Sequence, residues 1–178
     1  MSDIPSTATE ALRTYIQNEI DGYHFYKLAA ERTSDQQGKK MLLSLANDEL
    51  GHIVQLSSQL DSVLKTATWL SWEDISLKQA REGESNAVFP TDPQRVAAMI
   101  PEGADDLQAL TVAIQMEKDT YEQYARSAAE ATDDAALGFF KHLMDTELGH
   151  LRLLESSYTY LADSGSWYQE WERPIFEG

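Results

Sequence analysis

Residues 14–60 and 112–158 are two copies of one sequence, aligned without a gap at an offset of 98 residues. Of the 47 aligned pairs, 15 are identical, and the segment DELGH at residues 48–52 returns as TELGH at residues 146–150. Internal self-similarity constrains a fold more strongly than any single motif. Two units are too few for a solenoid, so the sequence predicts an internal duplication with pseudo-two-fold symmetry.

Each copy has the pattern of two antiparallel helices. Apolar residues recur at spacings of three and four, as in amphipathic helices, and Asp35 and Asp133 stand where helix N-caps are expected. The turns TSDQ and ATDD are short, so the helices that they join must be antiparallel neighbours. We predict helices over residues 7–32, 35–65, 104–131 and 133–163, which form hairpins over residues 7–65 and 104–163.

Residues 66–103 interrupt the helical pattern with three prolines and two glycines. A connection of this length within a compact domain needs a reason, and a return along the length of a bundle supplies one. We therefore predict an all-α four-helix bundle over residues 1–163, with residues 66–103 as its one long crossover. Residues 164–178 are an aromatic C-terminal tail, which we expect to dock on the bundle or on a partner subunit.

Six polar side chains fall on helix faces where the pattern otherwise has core residues. Steps of three and four align them with leucine, isoleucine and aromatic residues. At 1.5 Å per residue, Glu19 and Glu49 each lie about 20 Å from the turn between their helices, and the second copy repeats this arrangement. The groups that should meet in one layer at the middle of the bundle are Glu19, Glu49, His52, Glu117, Glu147 and His150.

Four carboxylates buried together are unfavourable unless their charge is neutralised. No lysine or arginine falls at this level of the predicted faces, whereas two divalent cations would balance four ionised glutamates. One Glu from each of two helices, with Glu-x-x-His from each of the other two, is the ligand set of di-iron and di-manganese bundles. Ligation mostly by oxygen favours Fe or Mn over Cu or structural Zn. The sequence predicts two Fe ions per chain, with Mn possible, against the alternative of a metal-free bundle with an unusual polar layer.

At these residues the sequence resembles the ferritin-like superfamily and, within it, the rubrerythrin-like di-iron proteins. The resemblance covers both hairpins, the crossover and the DELGH and TELGH motifs, and it implies a ferritin-like four-helix bundle. The ligand roles that it implies are bridging for Glu49 and Glu147, terminal for Glu19 and Glu117, and one imidazole per iron from His52 and His150.

The sequence departs from the rubrerythrin pattern in two ways. Rubrerythrins usually carry a further Glu three residues after the third-helix ligand, and this chain has Thr120 there, which removes the basis for the redox-linked iron movement associated with that Glu. They also usually carry a C-terminal rubredoxin with four cysteines, whereas this sequence has no cysteine. The electron donor is therefore expected to be another, external protein.

Four tyrosines follow the glutamates of the first and third helices. Tyr23 and Tyr121 follow by four residues, and Tyr26 and Tyr124 follow by seven. Helical side chains lean towards the N-terminus, so these phenols could hydrogen-bond the ligands or take part in redox chemistry. Packing in the aromatic core is the alternative.

Other polar and small residues near the motifs receive lesser roles. His24 and His142 lie off the ligand faces and are predicted to be solvated or locally hydrogen-bonded. Asp48 receives no metal role, because its counterpart in the second copy is a threonine. Gly51 and Gly149 stand beside the ligand pairs and suggest close approach of helices there.

The formal net charge of −16 argues against nucleic acid and anionic membranes as partners, because both attract clustered Lys and Arg. The N-terminus lacks the basic and apolar segments of a secretory signal. No stretch approaches the roughly 18 uninterrupted apolar residues of a membrane span. These features predict a soluble, cytoplasmic protein.

The resemblance implies redox chemistry at a carboxylate-bridged iron pair. The expected reaction is the reduction of H₂O₂ or O₂ coupled to oxidation of Fe²⁺, as in a peroxidase or ferroxidase that acts in oxidative stress. The alternative is an iron-binding or iron-handling protein without catalytic turnover. We expect a homodimer or a larger homo-oligomer in either case.

Overall fold

The computed structural model describes residues 6–76 and 92–167. In this part of the chain there is no strand, and the predicted all-α four-helix bundle is confirmed. Every bundle helix begins and ends within two residues of its predicted limits. The helices are α1 (Ser6–Arg32), α2 (Gln36–Thr66), α3 (helical over the described residues 72–76), α4 (Pro93–Met99), α5 (Asp106–Glu130) and α6 (Asp134–Ser164).

Aspartates begin the second helix of each hairpin at the predicted positions. The carboxylate of Asp35 accepts from the backbone N–H groups of Gln37 and Gly38, at 2.8 and 3.0 Å. Asp133 accepts in the same way from Ala135 and Ala136, at 2.9 and 3.1 Å. Each cap of this kind stabilises its helix by about 1 kcal/mol, which favours a sharp turn between the paired helices.

Contacts between the hairpins show that α1 runs antiparallel to α5. The hydroxyl of Tyr26 meets Glu117, and the hydroxyl of Tyr124 meets Glu19, so the residue number rises on one helix as it falls on the other. Because α2 is also antiparallel to α1, α2 and α5 run in the same direction. The chain must therefore return along the bundle between them, which is why the crossover is long.

Two apolar clusters lie on either side of the polar layer. One is centred on Phe25, Leu42 and Leu45, and the other on Leu12, Phe139 and Leu143, all of them buried. Each buried side chain of this size contributes about 1.5–3 kcal/mol relative to exposure. The polar layer is thus held between two apolar cores that fix the helices around it.

The crossover is tied to the bundle near both of its ends. The fully buried amide of Gln59 donates to the carbonyl of Leu70 at 2.8 Å and accepts from its N–H at 2.9 Å. On the other side, a guanidinium nitrogen of Arg95 in α4 lies 2.6 Å from the buried carboxylate of Asp21 in α1. These contacts position the crossover along the bundle.

Trp167 is the first aromatic residue of the C-terminal tail, and it docks on the bundle. Its indole N–H donates to Asp106 at 2.8 Å, and its ring covers Gly38, where a Cβ atom would come within 2.5 Å of the ring. Trp69 precedes Trp167 by 98 residues, which is the offset of the repeat, but it packs elsewhere. Its ring meets that of Phe140 edge-on, with 5.6 Å between the ring centroids. Trp72, the other crossover tryptophan, packs against the bundle by stacking on His142. The tail beyond Trp167 lies outside the described residues.

Among the described residues, no helix combines the length and the apolar character that crossing a bilayer requires.

Candidate metal centre

The six predicted ligands converge at the middle of the bundle. Each of the four long helices contributes one glutamate, and α2 and α6 each add a histidine one turn later. None of the six side chains belongs to a residue more than 6% exposed, so the layer is closed to bulk water. The structure thus brings together every metal-ligating residue that the sequence analysis singled out: Glu19, Glu49, His52, Glu117, Glu147 and His150.

The ligand atoms form two overlapping groups. In each group the candidate atoms lie within 4.8 Å of one another. Glu49 and Glu147 belong to both groups. The first group adds Glu19 and His52, and the second adds Glu117 and His150.

Both imidazoles direct the same nitrogen at the carboxylates. Nδ1 of His52 lies 3.3 Å from Glu19, 3.2 Å from Glu49 and 3.1 Å from Glu147. Nδ1 of His150 lies 3.2 Å from Glu147, with two further carboxylates at longer range. The ring centroids are 5.7 Å apart, so the two imidazoles are neighbours within the layer.

Two of the four predicted tyrosines contact the layer, and each crosses to the other hairpin. Tyr26 of α1 donates to Glu117 of α5, and Tyr124 of α5 donates to Glu19 of α1. Both tyrosines are fully buried, and burial raises the pKa of each phenol well above its usual value, with the neighbouring glutamate adding to the effect. They are therefore held as neutral hydrogen-bond donors.

Tyr23 and Tyr121, one turn earlier, are only half-buried. The hydroxyl of Tyr23 accepts from Lys27 at 3.4 Å, and its ring meets His24 edge-on. A spacing of four residues turns these phenols away from the seam that α1 and α5 share. The spacing of seven residues keeps Tyr26 and Tyr124 on it.

Burial and neighbouring charges shift the pKa values of three glutamates, Glu49, Glu117 and Glu147. Burial, reinforced by Glu19, raises the pKa of Glu49 well above its usual value. Burial and the adjacent Glu147 raise the pKa of Glu117 to about 8. Burial alone would also raise the pKa of Glu147, but the imidazoles of His52 and His150 lie beside its two oxygens and bring it below the usual range.

Neighbouring carboxylates raise the pKa values of both histidines. Burial by itself would lower the pKa of both rings. For His52 the carboxylate of Glu147 more than offsets burial and raises the pKa well above 6.5. For His150 the carboxylates of Asp48, Glu117 and Glu147 raise the pKa to about 12. Without metal, the layer therefore retains protons at the positions where cations would bind.

The donor set fits two divalent cations. Oε1 of Glu147 is buried and accepts no hydrogen bond within the described chain, although Nδ1 of His52 lies 3.1 Å away. An unpaired buried oxygen of this kind is costly, and a cation would satisfy it. Four carboxylates and two imidazoles, arranged as two groups with two shared members, can ligate two ions with Glu49 and Glu147 between them.

Two expectations about neighbouring residues change. Asp48, for which no metal role is predicted, places Oδ2 3.4 Å from Nε2 of His150. Spacing along one helix does not reveal this contact between helices. The suggestion of close helix approach at Gly51 and Gly149 is wrong. A Cβ atom at Gly149 would meet nothing within 4 Å, and one at Gly51 would meet only the amide of Gln55 at that distance, because both glycines face away from the layer.

His142 lies off the ligand faces, as expected. Its ring stacks on Trp72 with 3.4 Å between centroids, and burial, together with the charge of His52, lowers its pKa.

The protein-family model described as Rubrerythrin matches residues 10–158, which is 149 of the 178 residues. The match covers most of both hairpins and all six candidate ligands. Neither a curated protein nor a solved structure matches the chain.

Proposed function

Because this chain belongs to the rubrerythrin family, we propose that its buried centre holds two iron ions and that the protein reduces hydrogen peroxide or dioxygen. The observation that carries the proposal is the sharing of Glu49 and Glu147 between two four-residue groups. A single ion would leave one histidine and one terminal glutamate buried without a ligand role. Two ions use all six residues, and their four positive charges balance four ionised glutamates.

The chain contributes a rigid and dry ligand cage. Tyr26 and Tyr124 each fix the carboxylate of a terminal glutamate on the opposite hairpin, which limits its rotation. Burial of the layer keeps out bulk water, so interactions between the ligands and bound charges are stronger than at the surface. When bound, a diferrous pair supplies the two electrons that, with two protons, convert hydrogen peroxide into two water molecules.

Binding of cations also changes the protonation of the layer. His52 and His150 must release the protons that their raised pKa values retain, because an imidazole binds a metal through a neutral nitrogen. Glu49 and Glu117 must likewise become ionised. We therefore expect proton release on metal binding, and we propose that the electrons for further turnover come from an external protein.

An anaerobic titration with Fe²⁺, followed by addition of H₂O₂ or O₂, tests this proposal. We expect two tightly bound Fe²⁺ per chain and oxidation of both by one equivalent of H₂O₂, seen as the growth of near-ultraviolet absorption of the diferric product. Glu122→Gln, at an exposed position of α5, is the matched control for loss of a carboxylate. Failure to bind two ions, or oxidation no faster than that of free Fe²⁺, would refute the proposal.

Iron handling without dedicated turnover is the second candidate. The net charge of −16 favours it, since a negative field raises the local concentration of cations. Repeated additions of H₂O₂ with a chemical reductant distinguish the two candidates. A peroxidase consumes many equivalents per chain, whereas an iron-handling protein stops after the bound Fe²⁺ has been oxidised.

A further inference from the structure

The pseudo-two-fold symmetry gives His52 and His150 equivalent positions, yet their distances to the carboxylates differ. Each Nδ1 lies 3.2 Å from the glutamate one turn earlier on its own helix. The distances to the other carboxylates differ between the two halves. Nδ1 of His52 lies 3.1 Å from Glu147 across the bundle, whereas Nδ1 of His150 lies 3.8 Å from Glu49. The distance to the terminal glutamate likewise grows from 3.3 Å for His52 to 3.6 Å for His150.

The ring of His150 has a second contact on its outer side. Oδ2 of Asp48, on the facing helix α2, lies 3.4 Å from Nε2 of His150. The repeat places Thr146 at the equivalent position of the other half, and its hydroxyl donates to the backbone carbonyl of His142 at 3.2 Å. Within residues 6–76 and 92–167, no carboxylate lies within 4.0 Å of Nε2 of His52. Only one of the two imidazoles is therefore held from both sides.

We propose that Asp48 is a positioning residue that fixes the ring of His150 and makes the two metal positions unequal. The inference rests on the proposed function, because it concerns the same pair of ions. With Nδ1 ligating a cation, Nε2 would carry the ring proton and face the carboxylate of Asp48, whose Oδ2 lies 3.4 Å away. A carboxylate behind a ligating imidazole sets its tautomer and its orientation and makes it a better ligand. His52 has no such partner among the described residues.

The position of Asp48 suits this role. It directly precedes Glu49 on α2, so one turn of helix supplies both a shared carboxylate and the residue that orients the histidine of α6. Its side chain is 47% exposed, whereas that of His150 is 8% exposed, so Asp48 can be exchanged without opening the core. Loss of an outer partner of this kind typically weakens metal binding by about 10–100-fold.

The consequence is a ranked pair of binding steps. The position ligated by Glu117 and His150 should bind first and more tightly, and the position ligated by Glu19 and His52 should bind second. Asp48→Thr installs the residue of the other half and should weaken the first step by about 10–100-fold, leaving the two steps nearly equal. Asp48→Asn keeps an acceptor oxygen without the charge and should fall between this variant and the parent protein.

The test is an anaerobic Fe²⁺ titration in competition with a chelator, combined with Mössbauer spectra of protein loaded with ⁵⁷Fe²⁺. We expect two unequal steps and two distinct quadrupole doublets for the parent protein, and convergence of both for Asp48→Thr. Asp145→Thr removes an exposed carboxylate from the neighbouring helix and is the charge-matched control, expected to resemble the parent.

Each result decides between the proposals. If the parent protein does not bind two ions, the proposed function and this inference both fail. If it binds two ions and Asp48→Thr leaves both affinities within threefold and the spectrum unchanged, only the role of Asp48 fails. If Asp145→Thr reproduces the effect of Asp48→Thr, the effect comes from surface charge and the positioning role is overturned.

Discussion

Removing the metal should make the stability of the bundle fall as the pH rises from 5 to 7. Glu117 has a pKa of about 8 in the folded chain and an ordinary value of 4.5, so its folded form is favoured while it is protonated. Its stabilising contribution is complete below pH 4.5 and is lost as the pH rises towards 8. At 1.36 kcal/mol per pKa unit, the loss between pH 5 and 7 is roughly 2–3 kcal/mol from Glu117 alone.

Other groups of the layer act in the same direction. The raised pKa of His150, about 12 against 6.5, adds a loss of roughly 1 kcal/mol over this range. Glu49 and His52 are shifted the same way. Glu147 has a lowered pKa, so its contribution to stability is nearly complete at pH 5 and changes little above it. A total of about 3 kcal/mol corresponds to a fall in Tm of roughly 6–12 °C for a chain of this size.

Thermal melts of metal-stripped protein at pH 5, 6 and 7 measure this fall. Glu117→Gln keeps the shape of the side chain but cannot ionise, so it should reduce the fall in stability between pH 5 and 7 by roughly 2–3 kcal/mol. Glu122→Gln, on the exposed face of the same helix, should leave the profile unchanged. Fe²⁺ or Mn²⁺ at a hundredfold excess over Kd should add about 2.7 kcal/mol per site at pH 7 and less at pH 5. A metal-free Tm that is flat with pH and unmoved by metal would show that the six groups do not share one buried site.

Three further predictions follow from the ligand geometry. Glu49→Ala and Glu147→Ala should each abolish tight binding at both positions, because both groups use these carboxylates. Metal analysis after desalting measures this. Two ions retained by either variant would show that the two positions do not share that carboxylate. His52→Ala and His150→Ala should each retain about one ion per chain in the same assay, and loss of both ions would contradict the division into two groups. Tyr26→Phe should still bind two ions but lower the free energy of unfolding by about 1–3 kcal/mol in urea melts, since it removes the buried donor to Oε1 of Glu117. An unchanged midpoint would show that this hydrogen bond contributes nothing.

The fold and the six candidate ligands could be predicted from the sequence, because both depend on the spacing of residues along single helices. Steps of three and four place Glu49 and His52 on one face, and the repeat states the same arrangement twice. The antiparallel hairpins followed from the short turns, and the crossover followed from its length.

Contacts between helices could not be read from spacing alone. Tyr26 contacts Glu117 rather than a glutamate of its own helix. This contact depends on the register of α1 against α5, which are not joined by a short turn. The contact of Asp48 with His150 depends in the same way on how α2 faces α6. The packing of Trp167 over Gly38 could not be predicted either, because it depends on how the tail lies against a helix more than a hundred residues away in sequence.

The most direct test of the central claim is anomalous diffraction at the iron edge from crystals loaded anaerobically with Fe²⁺. Two peaks should lie in the central layer, roughly 3.5–4 Å apart, as in other paired-metal sites. One peak should adjoin His52 and the other His150, with Glu49 and Glu147 between them. A single peak, or peaks outside this layer, would contradict a centre in which two ions share these two carboxylates.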